Sequence, residues 1–303
     1  MKPVYTFADM QAWETVTTDE PMPLRLAVIG DPVAHSASPQ MHNAALASCD
    51  LAVRYCRLHL RPDELAAALR LLPEKGFLGV NCTIPHKAAV LAAVDEADEG
   101  ARRAGGVNTV VVGNDGRLSG FSTDGPGLAR AVREQFGAEL GDLRVLVLGA
   151  GGGAGRAVAM QCATAGALRL TLLNRSVEKL EPLRDAVAAI YLADSLVVGP
   201  WDEVTLTAAL EHSDLVVNCS ALGMNPGDVS PIAPSLLSSR HLLYDTIYTS
   251  GRTPLMLAGD EVGARSANGL SMLLHQGALS FEKWFQRPAP LEVMRAALVA
   301  AKA

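Results

Sequence analysis

The sequence predicts an α/β protein of two domains, an N-terminal α/β domain and a C-terminal doubly wound parallel sheet, with a cleft between them. Its 303 residues suit about two domains. Two short apolar runs, Leu24–Gly30 and Leu143–Gly149, each lead through a loop into a helical segment. After each run, apolar strands alternate with helices, and this alternation is typical of parallel sheets that carry helices on both faces.

The composition excludes several classes of protein. Hydrophobic residues make up 49% and charged residues 19%, which favours a large buried core over disorder. The net charge is −6 and no basic block is present, so nucleic acid is not an expected partner. No apolar run reaches the roughly 18 residues of a membrane span, so a membrane is not an expected partner either.

The cysteines and the N-terminus predict a cytoplasmic location. The five cysteines form no CxxC pair and their number is odd, which indicates free thiols in a reducing compartment. Residues 1–21 contain acidic side chains and no apolar stretch of the kind found in secretory signals. We expect a small-molecule ligand, no metal site, and a monomer or a homodimer.

Local signals predict the elements of the first domain. Ser38 followed by Pro39 predicts a helix with Ser38 as its N-cap and Pro39 at its first position. Asp115-Gly116 predicts a hairpin between two strands. The predicted elements are strands Leu24–Gly30, Val53–Leu60, Phe77–Cys82, Val107–Val112 and Arg117–Phe121, and helices that begin at Ser38 and Pro85 or span Pro62–Leu71 and Asp124–Phe136.

The second domain alternates more regularly. Its predicted elements are strands Leu143–Leu148, Leu168–Leu173, Tyr191–Val198, Asp214–Cys219, His241–Asp245 and Ala264–Ser266, and helices Gly153–Ala165, Val177–Ala189 and Leu270–Trp284. We place the last helix back against the first domain. The predicted domains are therefore residues 1–124 with 269–303, for substrate, and residues 125–268, for a cofactor. Residues 1–23 form an extension whose role the sequence does not reveal.

A glycine-rich segment directly follows the first strand of the second domain. Gly149-Ala150-Gly151-Gly152-Gly153-Ala154 has the pattern GxGxxA and opens a predicted helix. Gly149 permits a tight turn, Gly151 lets the backbone approach a pyrophosphate, and Ala154 allows close packing of helix on strand. The free N–H groups of the helix N-terminus then face the anion. This segment predicts a dinucleotide site in a Rossmann-like sheet.

The residues at the end of the next strand indicate which of two dinucleotides is expected to bind. NAD sites often carry an acidic residue there, but this chain has Asn174-Arg175-Ser176. The guanidinium of Arg175 can pair with a 2′-phosphate, Ser176 can donate to it, and Lys179 lies one helical turn later. The alternative is that Arg175 and Lys179 are solvated surface charges. With the glycine segment upstream, NADP is favoured.

Polar residues follow several strands of the first domain, and ligands gather at the carboxyl ends of strands in open α/β sheets. These residues are Ser36, Ser38, Asn81, Thr83, Lys87, Asn108 and Asp124. Each also has a purely structural interpretation. Ser38, Thr83 and Asp124 could cap helices, and Lys87 could be an exposed lysine on a helix. The functional interpretation therefore depends on their occurring together.

With these segments in this order, the sequence resembles the shikimate dehydrogenase family from Gly30 to Gln286. The segments that resemble the family's motifs are His35–Pro39, Asn81–Lys87, Ala104–Thr109, Thr123–Gly125, Gly149–Ala154, Asn174–Ser176, Tyr244–Tyr248 with Thr253–Leu255, and Gly269–Ala278. The resemblance implies an oxidoreductase that reduces 3-dehydroshikimate to shikimate, reversibly and with NADPH, in chorismate and aromatic amino acid biosynthesis.

The resemblance also implies roles for individual residues. Ser36 and Ser38 are the implied ligands of the substrate carboxylate. The implied partners of the ring hydroxyls are Thr83, Asn108, Asp124 and Gln276, with Tyr248 close to the substrate. Thr246 and Gly269 are expected to approach the nicotinamide. Lys87 is the implied acid/base residue, with Asp124 beside it.

The residue types of Lys87 and Asp124 suit this reaction. Oxidation of a secondary alcohol removes a hydride from carbon and a proton from oxygen, and a positioned acid or base contributes about 10²- to 10⁴-fold. In the direction of reduction, a protonated lysine is an acid that also stabilises charge developing on oxygen. We expect Lys87 to transfer the proton and Asp124 to orient Lys87 and the substrate hydroxyl.

Departures from the family's usual residues leave the substrate preference open. Ser122 stands in place of Asn, and His86 stands in place of an apolar or aromatic residue. We expect His86 to be a packing or surface residue, and a proton relay is the alternative. A second hypothesis is a quinate/shikimate dehydrogenase that uses NAD or both cofactors, and Arg175 counts against it. A third is a non-catalytic nucleotide-binding regulator, which would be expected to lack Lys87 and Asp124.

Overall fold

The computed structural model describes residues 2–225, 227–248 and 251–302, and the chain forms two compact units. The first unit comprises residues 1–123 and 276–303, and the second comprises residues 124–275. The boundary between residues 275 and 276 falls inside a helix, Leu270–Phe285. Within the described residues, no helix is both long and apolar enough to cross a membrane.

The first unit is built around one mixed sheet. Its strands are β1 (Tyr5–Thr6), β2 (Leu24–Gly30), β3 (Arg54–His59), β4 (Gly79–Cys82), β5 (Glu96–Ala97), β6 (Thr109–Val112) and β7 (Leu118–Phe121). Its helices begin with α1 (Phe7–Gln11), α2 (Trp13–Val16), α3 (Ser38–Ser48), α4 (Leu65–Glu74), α5 (Lys87–Ala93) and α6 (Glu99–Ala104). The strand order is β1-β3-β2-β4-β6-β7-β5.

Strand direction divides this sheet into two parts. Strands β1, β3, β2 and β4 run parallel, whereas β6 runs antiparallel to both β4 and β7. The hairpin predicted at Asp115-Gly116 joins β6 to β7, and Gly116 has the positive φ of 81° that such a turn requires. The carboxyl ends of β2 and β4, which carry the candidate substrate residues, therefore lie at the same edge.

The N-terminal extension completes the first unit. Strand β1 pairs in parallel with β3 and covers its outer edge. The ring of Trp13 lies 5.2 Å from that of Tyr5 and 5.1 Å from that of Phe77, measured between centroids, and all three side chains are buried. Residues 1–23 thus supply an edge strand and part of the hydrophobic core.

The second unit is built around one parallel sheet. Its strands are β8 (Arg144–Leu148), β9 (Arg169–Asn174), β10 (Leu196–Pro200), β11 (Leu215–Asn218), β12 (Leu242–Asp245) and β13 (Arg265–Ala267). The remaining helices of the chain are α7 (Asp124–Phe136), α8 (Gly153–Thr164), α9 (Glu181–Ala188), α10 (Glu203–Glu211), α11 (Pro254–Glu261), α12 (Leu270–Phe285) and α13 (Leu291–Lys302). Helix α12 contributes residues to both units, and α13 belongs to the first.

The strand order of the second unit is β10-β9-β8-β11-β12-β13, with every pair parallel. Counted from β8, this is the order 3-2-1-4-5-6 of the dinucleotide-binding Rossmann fold, whose direction of winding reverses between β8 and β11. The predicted doubly wound parallel sheet is therefore confirmed.

The apolar composition of β8 follows from burial on both faces. Val145 and Val147 belong to one hydrophobic cluster, and Leu146 and Leu148 belong to another on the opposite face. Because alternate side chains of a strand point to opposite faces, a strand covered on both sides must be apolar throughout. The apolar run of residues 143–149 therefore indicates a strand that is buried on both faces.

The predicted N-cap of one helix and the predicted start of another are wrong in the first unit. Helix α3 begins at Ser38 itself, with Ala37 as N-cap and no side-chain cap, so Ser38 is not the cap. Helix α4 begins at Leu65, because residues before it form a separate turn in which Glu64 N–H donates to Arg61 O at 3.0 Å.

Two predictions beside β10 also need correction. The helix expected at Val177–Ala189 is a 3-10 turn, Val177–Leu180, followed by α9, because Pro182 fits only the first turn of a helix. The strand expected at Tyr191–Val198 is β10, which begins five residues later, after a second 3-10 turn.

Candidate active site

The loop after β2 holds two serines close together. The hydroxyl oxygens of Ser36 and Ser38 lie 3.2 Å apart, and both side chains are largely buried. Arg57 on β3 donates from Nε and Nη2 to the carbonyl oxygen of Ser36, at 3.0 and 2.6 Å. The guanidinium therefore fixes the backbone of the serine loop and brings a positive charge next to it.

The turn after β4 is fixed at both ends. The N–H of Thr83 donates to the carbonyl oxygen of Ile29 at 2.9 Å, and the N–H of His86 donates to Thr83 O at 2.9 Å. The Nε2 atom of His86, a buried residue, lies 2.7 Å from the carbonyl oxygen of Leu60. His86 is thus a packing residue, and the surface interpretation is wrong.

Lys87 is the first residue of α5 and is half-buried. The helix predicted to open at Pro85 starts two residues later, because the hydrogen bond from His86 N–H to Thr83 O closes a separate turn before it. The N-cap of α5 is His86 without a side-chain hydrogen bond, so Thr83 does not cap this helix. The capping interpretation of Thr83 is therefore wrong, which leaves its hydroxyl available for a ligand.

Asn81 at the end of β4 is the centre of a buried polar network. Its Nδ2 donates to the carbonyl oxygen of Asn108 at 3.1 Å and to Ser280 Oγ at 2.9 Å. Because a carbonyl oxygen only accepts, the amide nitrogen must face Asn108 and the amide oxygen must face Tyr55. The hydroxyl of Tyr55 therefore donates to Asn81 Oδ1, at 2.8 Å.

The same network reaches two more predicted site residues. Asn108 donates from Nδ2 to Thr123 Oγ1 at 2.8 Å and to Gln276 Oε1 at 3.3 Å, and its Oδ1 accepts from the N–H of Thr123 at 2.7 Å. Ser38 lies beside the Tyr55 hydroxyl and lowers its pKa, whereas burial, the larger effect, raises this pKa well above the ordinary value. We call this set the hydroxyl network; its members are Ser36, Ser38, Tyr55, Asn81, Asn108, Thr109, Thr123, Gln276 and Ser280.

The structure thus brings four sequence-predicted residues, Ser36, Ser38, Asn108 and Gln276, into one network of the first unit. Asn81, one of the residues that connect them, was among the polar residues predicted at the ends of strands. Tyr55 and Ser280 were not predicted. Tyr55 lies within β3 and gave no signal, since its partner is on the neighbouring part of the sheet.

An aromatic layer packs against this network. The ring of His42 stacks on that of Tyr55, with centroids 4.5 Å apart and planes 13° from parallel, and lies 5.2 Å from the ring of Trp284. Burial lowers the pKa of His42 to about 3, because the charged imidazolium would lose its hydration. Within the described part of the chain, neither ring nitrogen has a hydrogen-bond partner. His42 is a neutral packing residue that holds Tyr55 in place.

The glycine turn of the second unit has the predicted form at Gly149, whose φ of 73° favours glycine. The close packing predicted at Ala154 is found instead at Gly155. A Cβ atom on Gly155 would lie 2.4 Å from the carbonyl oxygen of Gly149 and 2.7 Å from the Cα of Ala150. Helix α8 begins after Gly152 without a side-chain cap, so its first N–H groups are available to an anion.

Asn174 connects the glycine turn to the end of β9. Its Oδ1 accepts from the N–H of Gly151 at 3.3 Å, and its Nδ2 donates to the carbonyl oxygen of Ser176 at 2.9 Å. Its side chain therefore holds two loops together. Arg175 and Lys179 are exposed, and neither forms an ion pair with another residue that the structure describes. Two uncompensated cations thus lie beside the uncapped start of α8.

These groups line a cavity of about 470 Å³ within the second unit. Predicted residues on its wall are Gly149, Gly151, Gly152, Asn174, Arg175, Ser176 and Lys179. The wall also contains residues that were not predicted, namely Trp201, Cys219, Ser220, Ala221, Leu222, Asn225 and Asp228. Ala150, in contrast, is fully buried and not on the wall.

The unpredicted part of the wall depends on Asn218, the last residue of β11. Its Nδ2 donates to Asp245 Oδ1 at 3.0 Å, and its Oδ1 accepts from the hydroxyl of Ser220 at 2.7 Å. Asn218 and Ser220 lie at the carboxyl end of a strand beside the switch point. The rule that located polar residues after the strands of the first domain would have found them here as well.

The remaining predicted residues lie at element ends of the second unit. Thr246 follows β12 and donates from its hydroxyl to the carbonyl oxygen of Asn218 at 2.8 Å. Gly269 donates its N–H to the carbonyl oxygen of Ile247 at 2.9 Å, next to Tyr248, whose pKa is raised by burial. The other residues are Asp124, a buried residue that begins α7, and Gly153 and Ala154, which begin α8. Among the described residues, no group of three acidic, histidine or cysteine side chains could hold a metal ion.

The fold and these sites define a two-unit protein in which a Rossmann-type unit with a cavity beside its glycine turn accompanies a mixed α/β unit with a buried hydroxyl network. Residues 28–110 match the model of the shikimate dehydrogenase substrate binding domain, and residues 269–299 match that of the shikimate 5'-dehydrogenase C-terminal domain. The chain is 43% identical over 279 residues to shikimate dehydrogenase (NADP⁺) of Symbiobacterium thermophilum, covering 91% of this chain and 94% of that relative. The chain therefore belongs to the shikimate dehydrogenase family.

Solved structures agree with this membership. Shikimate 5-dehydrogenase from Thermus thermophilus, in complex with NADP(H) and shikimate, is 35% identical with a TM-score of 0.81, over 92% of this chain and 99% of that one. Quinate dehydrogenase from Corynebacterium glutamicum, in complex with NAD, is 28% identical with a TM-score of 0.82, over 92% of this chain and 99% of that one. The predicted family is confirmed.

Proposed function

We propose that this protein catalyses the reversible reduction of 3-dehydroshikimate to shikimate with NADPH. The observation that carries the proposal is the hydroxyl network of the first unit. It places the hydrogen-bonded pair of Ser36 and Ser38 beside Tyr55 and links Asn108 to Gln276, and each of these four predicted residues retains a small exposed fraction of 3–9%. Hydroxyl and amide groups held in this way suit a small ring that carries a carboxylate and several hydroxyls.

The second unit offers groups that fit NADP. A pyrophosphate fits the uncapped start of α8, where N–H groups point outward beside the glycine turn. A 2′-phosphate fits Arg175 and Lys179, which lie exposed at the end of β9 and form no ion pair among the residues described. Asn174 occupies the place where an acidic residue would favour NAD. Thr246 and Gly269 are proposed to approach the nicotinamide, which supplies or accepts a hydride when it is bound.

Lys87 is proposed to transfer the proton of the reaction. In the direction of reduction its ammonium group gives a proton to the oxygen that becomes the hydroxyl, and in the reverse direction the neutral amine takes that proton back. Its charge stabilises the oxygen while negative charge develops there. Asp124 is proposed to accept a hydrogen bond from the substrate hydroxyl and to orient Lys87. Thr83 and Tyr248 are proposed as further substrate contacts.

A quinate dehydrogenase that uses NAD is the second candidate, because the quinate dehydrogenase of Corynebacterium glutamicum has a similar structure. The cationic end of β9 disfavours it, since Arg175 and Lys179 match the charge of a 2′-phosphate, whereas a free ribose 2′-hydroxyl carries none. A silent nucleotide-binding regulator is disfavoured because the chain retains both Lys87 and Asp124. A cytoplasmic location is proposed from the five free cysteines, and the choice between monomer and homodimer stays a prediction.

A panel of two substrates and two cofactors tests the proposal. The full chain is assayed with shikimate or quinate, each with NADP or NAD, and formation of reduced nicotinamide is followed by absorbance. We expect kcat/KM to be highest for shikimate with NADP. Equal or greater kcat/KM for quinate with NAD would favour the second candidate, and absence of turnover in all four combinations would refute the enzyme.

A further inference from the structure

Trp201 occupies a defined place beside the cation at the end of β9. It directly follows β10, and its N–H donates to the carbonyl oxygen of Asn174 at 3.1 Å. Strands β9 and β10 are in register at this point, since Asn174 pairs with Pro200. The backbone of Trp201 is therefore tied to the residue that immediately precedes Arg175.

The indole ring packs against the hydrophobic core on one side and is exposed on another. It packs against the cluster of Leu146, Leu148 and other buried side chains of the second unit, and it is only half-buried. The guanidinium carbon of Arg175 lies 5.4 Å from the centroid of the ring, within the range of a cation–π interaction. Trp201 and Arg175 also line the same cavity of about 470 Å³.

This contact has a consequence for anion binding. Arg175 is an exposed side chain with several rotatable bonds, so ordering it on binding has an entropic cost. A ring anchored in the core restricts the guanidinium before any ligand arrives, and prior restriction of this kind increases affinity. Because the ring carries no formal charge, it holds the cation without neutralising it, unlike a carboxylate.

We propose that Trp201 is a positioning residue for cofactor specificity: it holds Arg175 so that adenosine carrying a 2′-phosphate is preferred over adenosine without one. This inference rests on the proposed use of NADP. In this proposal, the effect of Trp201 on the ligand passes through Arg175. Loss of the ring should therefore weaken the ligand that carries the 2′-phosphate and largely spare the ligand that lacks it.

The test uses adenosine 2′,5′-bisphosphate and adenosine 5′-monophosphate, which differ only in the 2′-phosphate, with affinities measured by calorimetry on the full chain. Trp201→Leu removes the ring but keeps an apolar side chain toward the core, and Trp201→Phe keeps a ring. We expect Trp201→Leu to weaken the bisphosphate about tenfold, within the range of a cation–π contact, and the monophosphate by far less. Trp201→Phe should recover most of the loss, and Leu168→Ala, at an exposed position just before the first residue of β9, should change neither affinity.

A double-mutant cycle decides whether the effect passes through Arg175. In an Arg175→Ala background, Trp201→Leu should cause little further loss of the bisphosphate. Equal losses for both nucleotides, no recovery with Trp201→Phe, or additive losses in the cycle would each overturn the role of Trp201. If the unmodified protein itself fails to distinguish the two nucleotides, the proposed NADP preference falls together with this inference.

Discussion

The two units form their sites in different ways. In the first unit, the candidate residues are buried side chains that hydrogen-bond to one another, as Asn81, Asn108 and Tyr55 do. In the second unit, the candidate site consists of backbone N–H groups at an uncapped helix start and exposed cations, as at Arg175. The difference fits the ligands proposed for them, because a small polyol requires fixed hydrogen-bond partners, whereas phosphates require positive charge and free N–H groups.

The largest expected effect on kcat comes from a single side chain of the first unit. Lys87→Ala should lower kcat for shikimate oxidation by about 10²- to 10⁴-fold, because the proton would have no positioned acceptor. KM for shikimate should change little, since the hydroxyl network remains intact. Steady-state kinetics check both values. Lys2→Ala, at an exposed lysine of the same unit, is the control, and turnover retained in Lys87→Ala would refute the assignment.

In the second unit, the largest effect of a single side chain should be on selectivity. Arg175→Ala should weaken NADP by about 10- to 100-fold, as expected for loss of a hydrogen bond between charged groups, with a much smaller effect on NAD. Dissociation constants for both cofactors check this. Arg184→Ala, an exposed arginine on α9 paired with Asp185, should change neither. Equal effects of Arg175→Ala on both cofactors would mean that this residue does not contact the 2′-phosphate.

Burial in the first unit predicts a dependence of its stability on pH. The pKa of His42 is about 3 in the folded chain, against an ordinary value of 6.5, so below pH 6.5 the unfolded chain binds a proton that the folded chain does not. The stability that depends on a neutral His42 is fully present above pH 6.5. As the pH falls from 6.5 toward 3, the free energy of unfolding decreases, and the decrease is about 3 kcal/mol near pH 4.5.

Urea unfolding at about pH 7 and pH 4.5 measures this dependence. His42→Phe keeps an aromatic ring against Tyr55 and removes the titrating group, so this variant should lose less stability on acidification than the unmodified protein. His212→Phe, at an exposed position, should leave the loss unchanged. The same loss in His42→Phe and in the unmodified protein would show that His42 is not responsible.

Backbone packing in the second unit predicts the smallest effect. Gly155→Ala would place a Cβ atom 2.4 Å from the carbonyl oxygen of Gly149, so we expect a loss of about 1–3 kcal/mol in the free energy of unfolding. Gly100→Ala in α6, where the nearest atom would be 3.6 Å away, should instead stabilise by up to about 1 kcal/mol. Thermal unfolding checks the opposite signs. A neutral Gly155→Ala would mean that α8 can shift away from the glycine turn.

Much of the fold could be predicted from local signals. The apolar run of β8, the hairpin at Gly116 and the span of α7 all agree with the structure, because each depends on nearby residues. The predictions that failed were boundaries at which a distant contact or a loop replaces the local pattern. Ser38 has the sequence of an N-cap, for example, yet it lies inside the helix and its hydroxyl is hydrogen-bonded to Ser36.

The candidate site divides in the same way. Motif residues such as Lys87, Gly149 and Arg175 were identified from the sequence, because each lies at the carboxyl end of a strand or the start of a helix. The residues that hold them were not identified. Tyr55, Ser280 and Trp201 become relevant only through partners that are distant in sequence or lie on a neighbouring strand.

The sequence by itself determined the alternation of strands and helices, the glycine turn and the cation after β9, because these follow from side-chain periodicity and the conformational limits of single residues. Only the tertiary structure decided that residues 1–23 supply an edge strand, that Asn81 connects Tyr55 to Ser280, and that Trp201 meets Arg175. The physical reason is that strand pairing and burial depend on the packing of the whole sheet, which no local pattern of residues specifies.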